Sequence, residues 1–168
     1  MIFALEGPDR CGKTSLFEEL KSCLPNCVFV PRLPVDKSLL PVMRSVEARN
    51  DALWRALYDE RKLYICDRHL SVSNQVYSLL YDREPLDVSF WYGRVHPVYL
   101  RVPANELARR HAVARDDLFD VKCYEYVCSL YESVLTKFHS RTELNGTLST
   151  KELAGCLSKS LSCISDGG

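Results

Sequence analysis

A ten-residue segment near the start of the chain, EGPDRCGKTS at positions 6–15, limits most strongly what this sequence can fold into. It follows the apolar run MIFAL and contains the pattern G-x-x-x-x-G-K-[ST], with Gly7, Gly12, Lys13 and Thr14 at the fixed positions. Glycines let a loop turn its backbone N–H groups inward, and the helix that follows adds a positive dipole end. A glycine-rich turn before a helix is the alternative. The context of strand, loop and helix favours a phosphate-binding loop.

Within such a loop, the lysine reaches the β- and γ-phosphates of a nucleotide and the hydroxyl after it binds Mg²⁺. The sequence therefore predicts ATP and Mg²⁺ as cofactors. The residues predicted to bind ATP are those of the loop and the first helical turn: Gly7, Pro8, Asp9, Arg10, Cys11, Gly12, Lys13, Thr14 and Ser15.

The rest of the chain alternates short apolar runs with helical segments, as is typical of a parallel α/β sheet. Its 168 residues suit one domain, 1–168, with a lid segment at about 108–120. We predict a three-layer P-loop NTPase fold, in which helices flank a five-stranded parallel sheet. The predicted strands are Ile2–Glu6, Cys27–Val30, Leu63–Cys66, Pro97–Val102 and Thr142–Asn145. The predicted helices include 13–24, 39–49, 51–61, 71–81, 120–139 and, after a capping box at 149–152, a last helix to about 164.

Charge and cysteine content narrow the function classes. The formal net charge is zero, which argues against binding to nucleic acid or to a membrane surface through bulk electrostatics. The eight cysteines contain no C-x-x-C pair, and a chain of this length does not need disulfides to fold. We therefore expect reduced thiols and a cytoplasmic, reducing compartment.

A second constellation, Asp67-Arg68-His69, follows the third predicted strand. Ligands bind in open α/β sheets at the carboxyl ends of the strands. There, Asp67 could hold Mg²⁺, largely through water molecules, and the planar guanidinium of Arg68 suits a phosphate. A solvated charge pair at a strand end is the alternative reading of these residues.

The motifs in the first half of the chain resemble those of thymidylate kinases. The loop is similar to the family's E-G-x-D-R-x-G-K-[ST], and Asp67-Arg68-His69 is similar to D-R-[YH]. The stretch at 73–77 looks like S-N-x-x-[HY], and the stretch at 32–34 resembles R-x-P. The resemblance implies an ATP-dependent kinase that acts on a deoxynucleoside monophosphate. The first expected acceptor is dTMP, with dUMP or a modified pyrimidine left open. Small-molecule nucleotides are then the expected partners, and the choice between monomer and homodimer stays open.

The resemblance also implies roles for individual residues. Asp9 would bind the deoxyribose 3′-hydroxyl, and Arg32 and Arg68 would bind the acceptor phosphate. The phosphoryl-transfer step would use Lys13 together with an arginine in the loop and another in the lid, which are Arg10 and Arg115. The remaining substrate-binding candidates are Ser73, Asn74, Tyr77 and, as the reader of the base, Arg49. The segment 34–49 is shorter than is typical of the family, with no stacking aromatic residue four positions before Arg49.

The acceptor can also be argued from chemistry. A nucleoside 5′-hydroxyl must lose a proton, and nucleoside kinases place a carboxylate after the second strand to receive it. A monophosphate is already largely ionised, with a second pKa near about 6, and needs only cations. This chain has Arg32 at that place, and the nearest carboxylate is Asp36. A phosphate acceptor is therefore favoured. A deoxynucleoside kinase, a regulatory GTPase or motor ATPase, and a catalytically inactive nucleotide-binding relative are the alternatives.

Overall fold

The computed structural model describes residues 1–33, 42–113 and 121–165. Within them, five parallel strands form one sheet in the order β2-β3-β1-β4-β5. The strands are β1 (Ile2–Glu6), β2 (Val28–Val30), β3 (Tyr64–Asp67), β4 (Val95–Arg101) and β5 (Thr142–Asn145). The helices in the same residues are α1 (Lys13–Cys23), α2 (Met43–Leu57), α3 (Leu70–Leu80), α4 (Ala104–Val113), α5 (Tyr124–Leu135) and α6 (Thr150–Ser165). The predicted α/β fold with a five-stranded parallel sheet is confirmed.

Helices cover both faces of the sheet, and each face has its own core. Along β1, Phe3 and Leu5 point into one core and Ile2 and Ala4 into the other. The first core includes apolar residues of α1 and α6, which pack against each other, and the second includes residues of α3 and α5, which also pack together. Because β1 is buried on both faces, its sequence is a continuous apolar run rather than an alternating one.

The two helices predicted at 39–49 and 51–61 form a single helix, α2, over the part of them that the structure describes. The start of the first range lies outside the described residues. Asp51 does not break the helix because its carboxylate accepts hydrogen bonds from Arg55 Nε at 2.7 Å and from Trp91 Nε1 at 2.6 Å. The first of these bonds links successive turns of α2, and the second ties the helix to the core.

Position 120 lies outside the described residues, and over the rest of its range the helix predicted at 120–139 is shorter than expected. A 3-10 turn over Val121–Cys123 precedes α5, which begins at Tyr124 and ends at Leu135. After that point the backbone bonds join residues three apart, as from Phe138 N to Leu135 O at 3.2 Å, so the chain tightens out of the α-helix.

The capping box at the start of α6 is confirmed. Ser149 N donates to Glu152 Oε2 at 2.9 Å, and Glu152 N donates back to Ser149 Oγ at 3.4 Å. Among the helices in the described part of the chain, none combines the length and the apolar composition that a membrane crossing requires.

The sheet register brings the two sequence motifs together. Strands β1 and β3 are neighbours, and Leu5 of β1 is paired with Asp67 of β3. The loop that follows β1 therefore lies beside the aspartate that ends β3, at the carboxyl edge of the sheet.

Candidate active site

The glycines of the loop are required by its backbone. Gly7 has φ of 141°, and a Cβ at this position would lie 2.8 Å from Cys11 Sγ and 3.0 Å from the Leu100 carbonyl oxygen. Gly12, at the N-terminal end of α1, has φ of 97°. Arg10 also has a positive φ, 67°, which is uncommon for a residue with a side chain and often accompanies function.

The side chain of Lys13 is folded into the loop. Its Nζ donates to the carbonyl oxygens of Gly7 at 2.9 Å and Pro8 at 2.6 Å, and lies 3.2 Å from Cys11 Sγ. Burial and the nearby Arg68 charge lower the pKa of this ammonium. Lys13 thus places a positive charge at the loop where phosphates are predicted to bind. None of the hydrogen bonds just described joins this charge to a carboxylate.

Thr14 and Asp67, the two predicted Mg²⁺ ligands, contact each other. Thr14 Oγ1 donates to Asp67 Oδ2 at 2.8 Å. The second carboxylate oxygen, Asp67 Oδ1, is buried and has no hydrogen-bond partner within the described residues. A buried oxygen of this kind is costly unless a cation or water satisfies it, and hydroxyl and carboxylate oxygens are what Mg²⁺ prefers. These residues therefore fit the metal.

Arg68 holds the loop in place. Its Nη1 donates to the Gly7 carbonyl oxygen at 3.1 Å and to the Tyr131 hydroxyl, and its Nη2 pairs with Asp9 Oδ1 at 2.7 Å. The ion pair is largely buried, with side-chain exposures of 10% for Arg68 and 18% for Asp9. Burial acts to raise the pKa of Asp9, but Arg68, Lys13 and Arg32 together bring it below its ordinary value. Asp9 is thus kept ionised.

Glu6, at the end of β1, is fully buried behind the loop. Its Oε1 accepts a hydrogen bond from His69 N at 2.7 Å, while Oε2 has no such partner in the described parts of the chain. Burial raises the pKa of Glu6 to about 7, against the lowering effect of the Arg68 charge.

This raised pKa predicts a pH-dependent stability that Glu6→Gln should remove. Between the ordinary carboxyl pKa and about 7, the folded state binds more protons than the unfolded state, so stability falls as pH rises through this window. The free energy of unfolding should fall by up to about 3 kcal/mol across this window. Urea denaturation at pH 5 and pH 8.5 would measure it. An equal decline in the parent and in Glu6→Gln would contradict this account, because glutamine cannot ionise but can still accept from His69 N.

A cavity of about 350 Å³ opens beside the loop. Of the residues predicted to bind substrate, Asp9, Arg32, Arg68, Ser73 and Tyr77 line it. Arg32 is exposed at its edge, and the Arg68 guanidinium carbon lies 5.3 Å from the centre of the Tyr77 ring. The structure thus brings together five side chains that are spread over 69 positions of the sequence, from Asp9 to Tyr77.

Two other residues predicted to bind substrate, Arg49 and Asn74, are not among the described residues that line the cavity. Arg49 is exposed on α2. Asn74 is 1% exposed and lies behind the cavity wall, where its side chain bonds to Glu47 and to the Leu86 backbone. Arg115 lies outside the described residues, as does the part of the predicted lid from 114 to 120.

The structure adds cavity residues that the sequence did not single out for binding. Four of them come from α2, namely Met43, Glu47, Asn50 and Trp54, and another is Arg83, just after α3. A charged or polar residue on a helix is usually solvated, so only the packing of α2 against α3 could identify these. Aromatic contacts with His69 and Trp91, at 5.5 and 6.2 Å between ring centres, fix Trp54 in the wall.

Arg110 links the loop to the turn that follows β5. From α4, its Nη1 donates to the carbonyl oxygen of Arg10 and its Nη2 to that of Gly146, both at 3.1 Å. A Cβ at Gly146 would lie 2.5 Å from Val102 Cγ2, so glycine is required for this close approach. Arg110 therefore holds the backbone of Arg10 in place from outside the loop.

This chain resembles known proteins in its structure. No known family matches the sequence, and no curated protein matches it either. Among solved structures, the YorR protein of Bacillus subtilis, in complex with phosphorylated GDP, superposes with a TM-score of 0.71 at 18% identity and covers 100% of this chain and 99% of its own. Deoxyadenosine kinase from M. mycoides, with the products dCMP and dCDP bound, superposes with a TM-score of 0.69 at 16% identity. The match covers 97% of this chain and 100% of the kinase.

A second structure of the M. mycoides enzyme, with bound dATP, gives a TM-score of 0.68 at 16% identity over 96% of this chain and 100% of its own. These likenesses cover essentially the whole chain and show that it shares the fold of these proteins. The resemblance to thymidylate kinases in particular stays a prediction.

Proposed function

We propose that this protein transfers the γ-phosphate of ATP to the 5′-phosphate of a deoxynucleoside. The observation that carries the proposal is the cavity itself, which adjoins the phosphate-binding loop and is lined by Arg32 and Arg68 at that end. Guanidinium groups suit a phosphate because their planar donors match its oxygens. Two polyanions can then be held side by side for phosphoryl transfer.

Among the described residues, the carboxylates that line the cavity are Asp9 and Glu47, and neither is well placed to deprotonate a hydroxyl at the loop. Asp9 is paired with Arg68 and has a lowered pKa, which makes it a weak base. Glu47 belongs to α2 rather than to the loop, accepts a hydrogen bond from Asn74 and lies near the Arg83 charge. A monophosphate acceptor needs no base, and this favours it over a nucleoside.

In the proposed mechanism, the loop N–H groups and Lys13 bind the phosphates of ATP. Thr14 and Asp67 would hold Mg²⁺, which neutralises charge on the β- and γ-phosphates. Arg32 and Arg68 orient the acceptor phosphate for in-line attack, while Asp9 and Arg68 fix each other. Arg10, with Arg115 as a second candidate, neutralises the transferring group.

A deoxynucleoside kinase is the second candidate, favoured by the likeness to deoxyadenosine kinase over nearly the whole chain. A coupled assay of ADP release separates the two. It should compare dTMP, dUMP, dCMP, dAMP and dGMP with the five matching deoxynucleosides. Turnover with at least one monophosphate and with no nucleoside supports the proposal, and the reverse pattern refutes it.

Replacing Arg32 with alanine should lower kcat/KM for the monophosphate by about 10- to 100-fold, the effect of a lost charge-assisted hydrogen bond. Arg32 is exposed, so the free energy of unfolding should not change. Arg61→Ala is the matched control, because Arg61 is exposed and pairs with Asp59 away from the cavity. Steady-state kinetics with varied acceptor would measure the effect. Equal kcat/KM values for Arg32→Ala and Arg61→Ala would remove Arg32 from the acceptor site.

A further inference from the structure

Glu47 is held in the cavity wall in one orientation. Its Oε2 accepts a hydrogen bond from Asn74 Nδ2 at 2.8 Å. The other end of the same amide, Asn74 Oδ1, accepts from Leu86 N at 2.8 Å. A backbone N–H can only donate, so the Asn74 amide cannot flip and its NH₂ group must face Glu47. Asn74 is therefore a positioning residue that aims an acceptor at the cavity.

A donor lies close to this acceptor. Arg83 also lines the cavity, and its Nε is buried without a hydrogen-bond partner in the described residues. Its charge is near enough to lower the pKa of Glu47, although burial, the larger effect, leaves that pKa above the ordinary value. The backbone of Arg83 is fixed by a bond from its N to Ser78 O at 2.8 Å. The wall of the cavity thus contains both a carboxylate acceptor and a guanidinium donor whose charge acts on it.

This pair matches one kind of nucleobase edge. Cytosine and adenine carry an exocyclic amino donor next to a ring nitrogen that accepts. Thymine and uracil present a carbonyl oxygen in place of the amino group, and that oxygen would face the carboxylate with no proton between them. Their protonated ring nitrogen would likewise face the arginine donor.

We propose that Glu47 and Arg83 select an acceptor whose base is cytosine or adenine, and reject thymine and uracil. In the bound state, a Glu47 oxygen accepts from the amino group and Arg83 donates to the adjacent ring nitrogen. The inference rests on the proposed function, since it treats the cavity as the acceptor site. It replaces the dTMP expectation drawn from the resemblance to thymidylate kinases.

The sharpest test compares dCMP with dUMP, which differ only in the amino or oxo group and the neighbouring ring proton. The parent should prefer dCMP in kcat/KM. In Glu47→Gln, Asn74 still donates to the new side-chain oxygen, so the glutamine NH₂ must face the base. The ratio of dCMP to dUMP should then fall by about 10- to 100-fold, the discrimination of a base-edge contact. An unchanged ratio would overturn the inference.

Two further variants complete the test, one at Arg83 and one as a control. Arg83→Met removes the donor without touching the pair of Glu47 and Asn74, and should lower the same ratio. It decides the matter if Glu47→Gln does not fold. Glu18→Gln is the control, because Glu18 is an exposed carboxylate of α1 paired with Lys21 and should leave the ratio unchanged. A fall of equal size in Glu18→Gln would overturn the inference.

Parallel assays with deoxycytidine and deoxyuridine separate this inference from the proposed function. Turnover of nucleosides alone, with deoxycytidine preferred, would refute the monophosphate kinase and support the role of Glu47. A preference for dTMP or dUMP that is unchanged in Glu47→Gln would support the monophosphate kinase and overturn the inference about Glu47. If no acceptor turns over, calorimetric titration of the parent with dCMP and dUMP decides, and equal or absent heats would overturn the inference.

Discussion

Replacing Arg10 with alanine is expected to lower kcat by about 10³- to 10⁵-fold, the range measured for arginines that neutralise a transferring phosphoryl group. Arg10 lies within the loop, and Arg110 holds its backbone carbonyl at 3.1 Å. ATP affinity should change much less, because the loop N–H groups and Lys13 remain. Single-turnover kinetics and calorimetric titration with ATP would measure the two quantities separately.

The controls for Arg10 separate the effect of its side-chain charge from the effect of its backbone conformation. Since Arg10 has φ of 67°, alanine keeps the backbone strain that glycine would relieve. Arg10→Gly should lose as much kcat as Arg10→Ala, and Arg10→Lys should lose less because it keeps the charge. Equal kcat values for the parent and Arg10→Ala would remove Arg10 from the mechanism. Recovery in Arg10→Gly alone would assign the effect to the backbone.

Replacing Arg68 with methionine is expected to lower the free energy of unfolding by about 3–5 kcal/mol, the cost of breaking a buried ion pair from one side. The change leaves the Asp9 carboxylate without its partner and the Gly7 carbonyl oxygen without its donor. The double variant Asp9→Asn/Arg68→Met should recover part of this loss, because no unpaired charge remains. Urea denaturation of the single and double variants would measure the coupling.

The matched control for Arg68 is an arginine with two carboxylate partners on the surface. Arg101 pairs with Glu132 and Glu143, but its side chain is 56% exposed. Exposed ion pairs are screened by water, so Arg101→Met should cost much less. Equal losses in the free energy of unfolding for Arg68→Met and Arg101→Met would show that burial of the Arg68–Asp9 pair contributes nothing to stability.

The fold and the phosphate-binding loop could be predicted because their signals are local. Gly7 and Gly12 are needed at their positive φ values wherever this loop forms, and β1 reads as a buried strand by itself. Asp67 was also predictable, since a carboxylate that ends a parallel strand lies at the ligand-binding edge. The strand order that places it beside β1 follows from packing along the whole chain.

The wall of the cavity opposite the loop could not be predicted in the same way. Glu47 and Trp54 lie on α2 among exposed residues such as Arg49, and the charge pattern of the helix does not distinguish them. Their position depends on how α2 packs against α3. There, Asn74, which was expected to contact the substrate, donates a hydrogen bond to Glu47 instead. The proposed contacts with the base could therefore be inferred only from side-chain geometry.

The most direct test of the account follows the phosphorus atoms of the product. Purified protein with ATP, Mg²⁺ and an equimolar mixture of deoxycytidine and dCMP can be followed by ³¹P NMR. The account predicts that the dCMP signal declines while the paired signals of dCDP grow, with no new monophosphate formed from deoxycytidine. Growth of the dCMP signal at the expense of ATP, with no diphosphate beyond ADP, would contradict it.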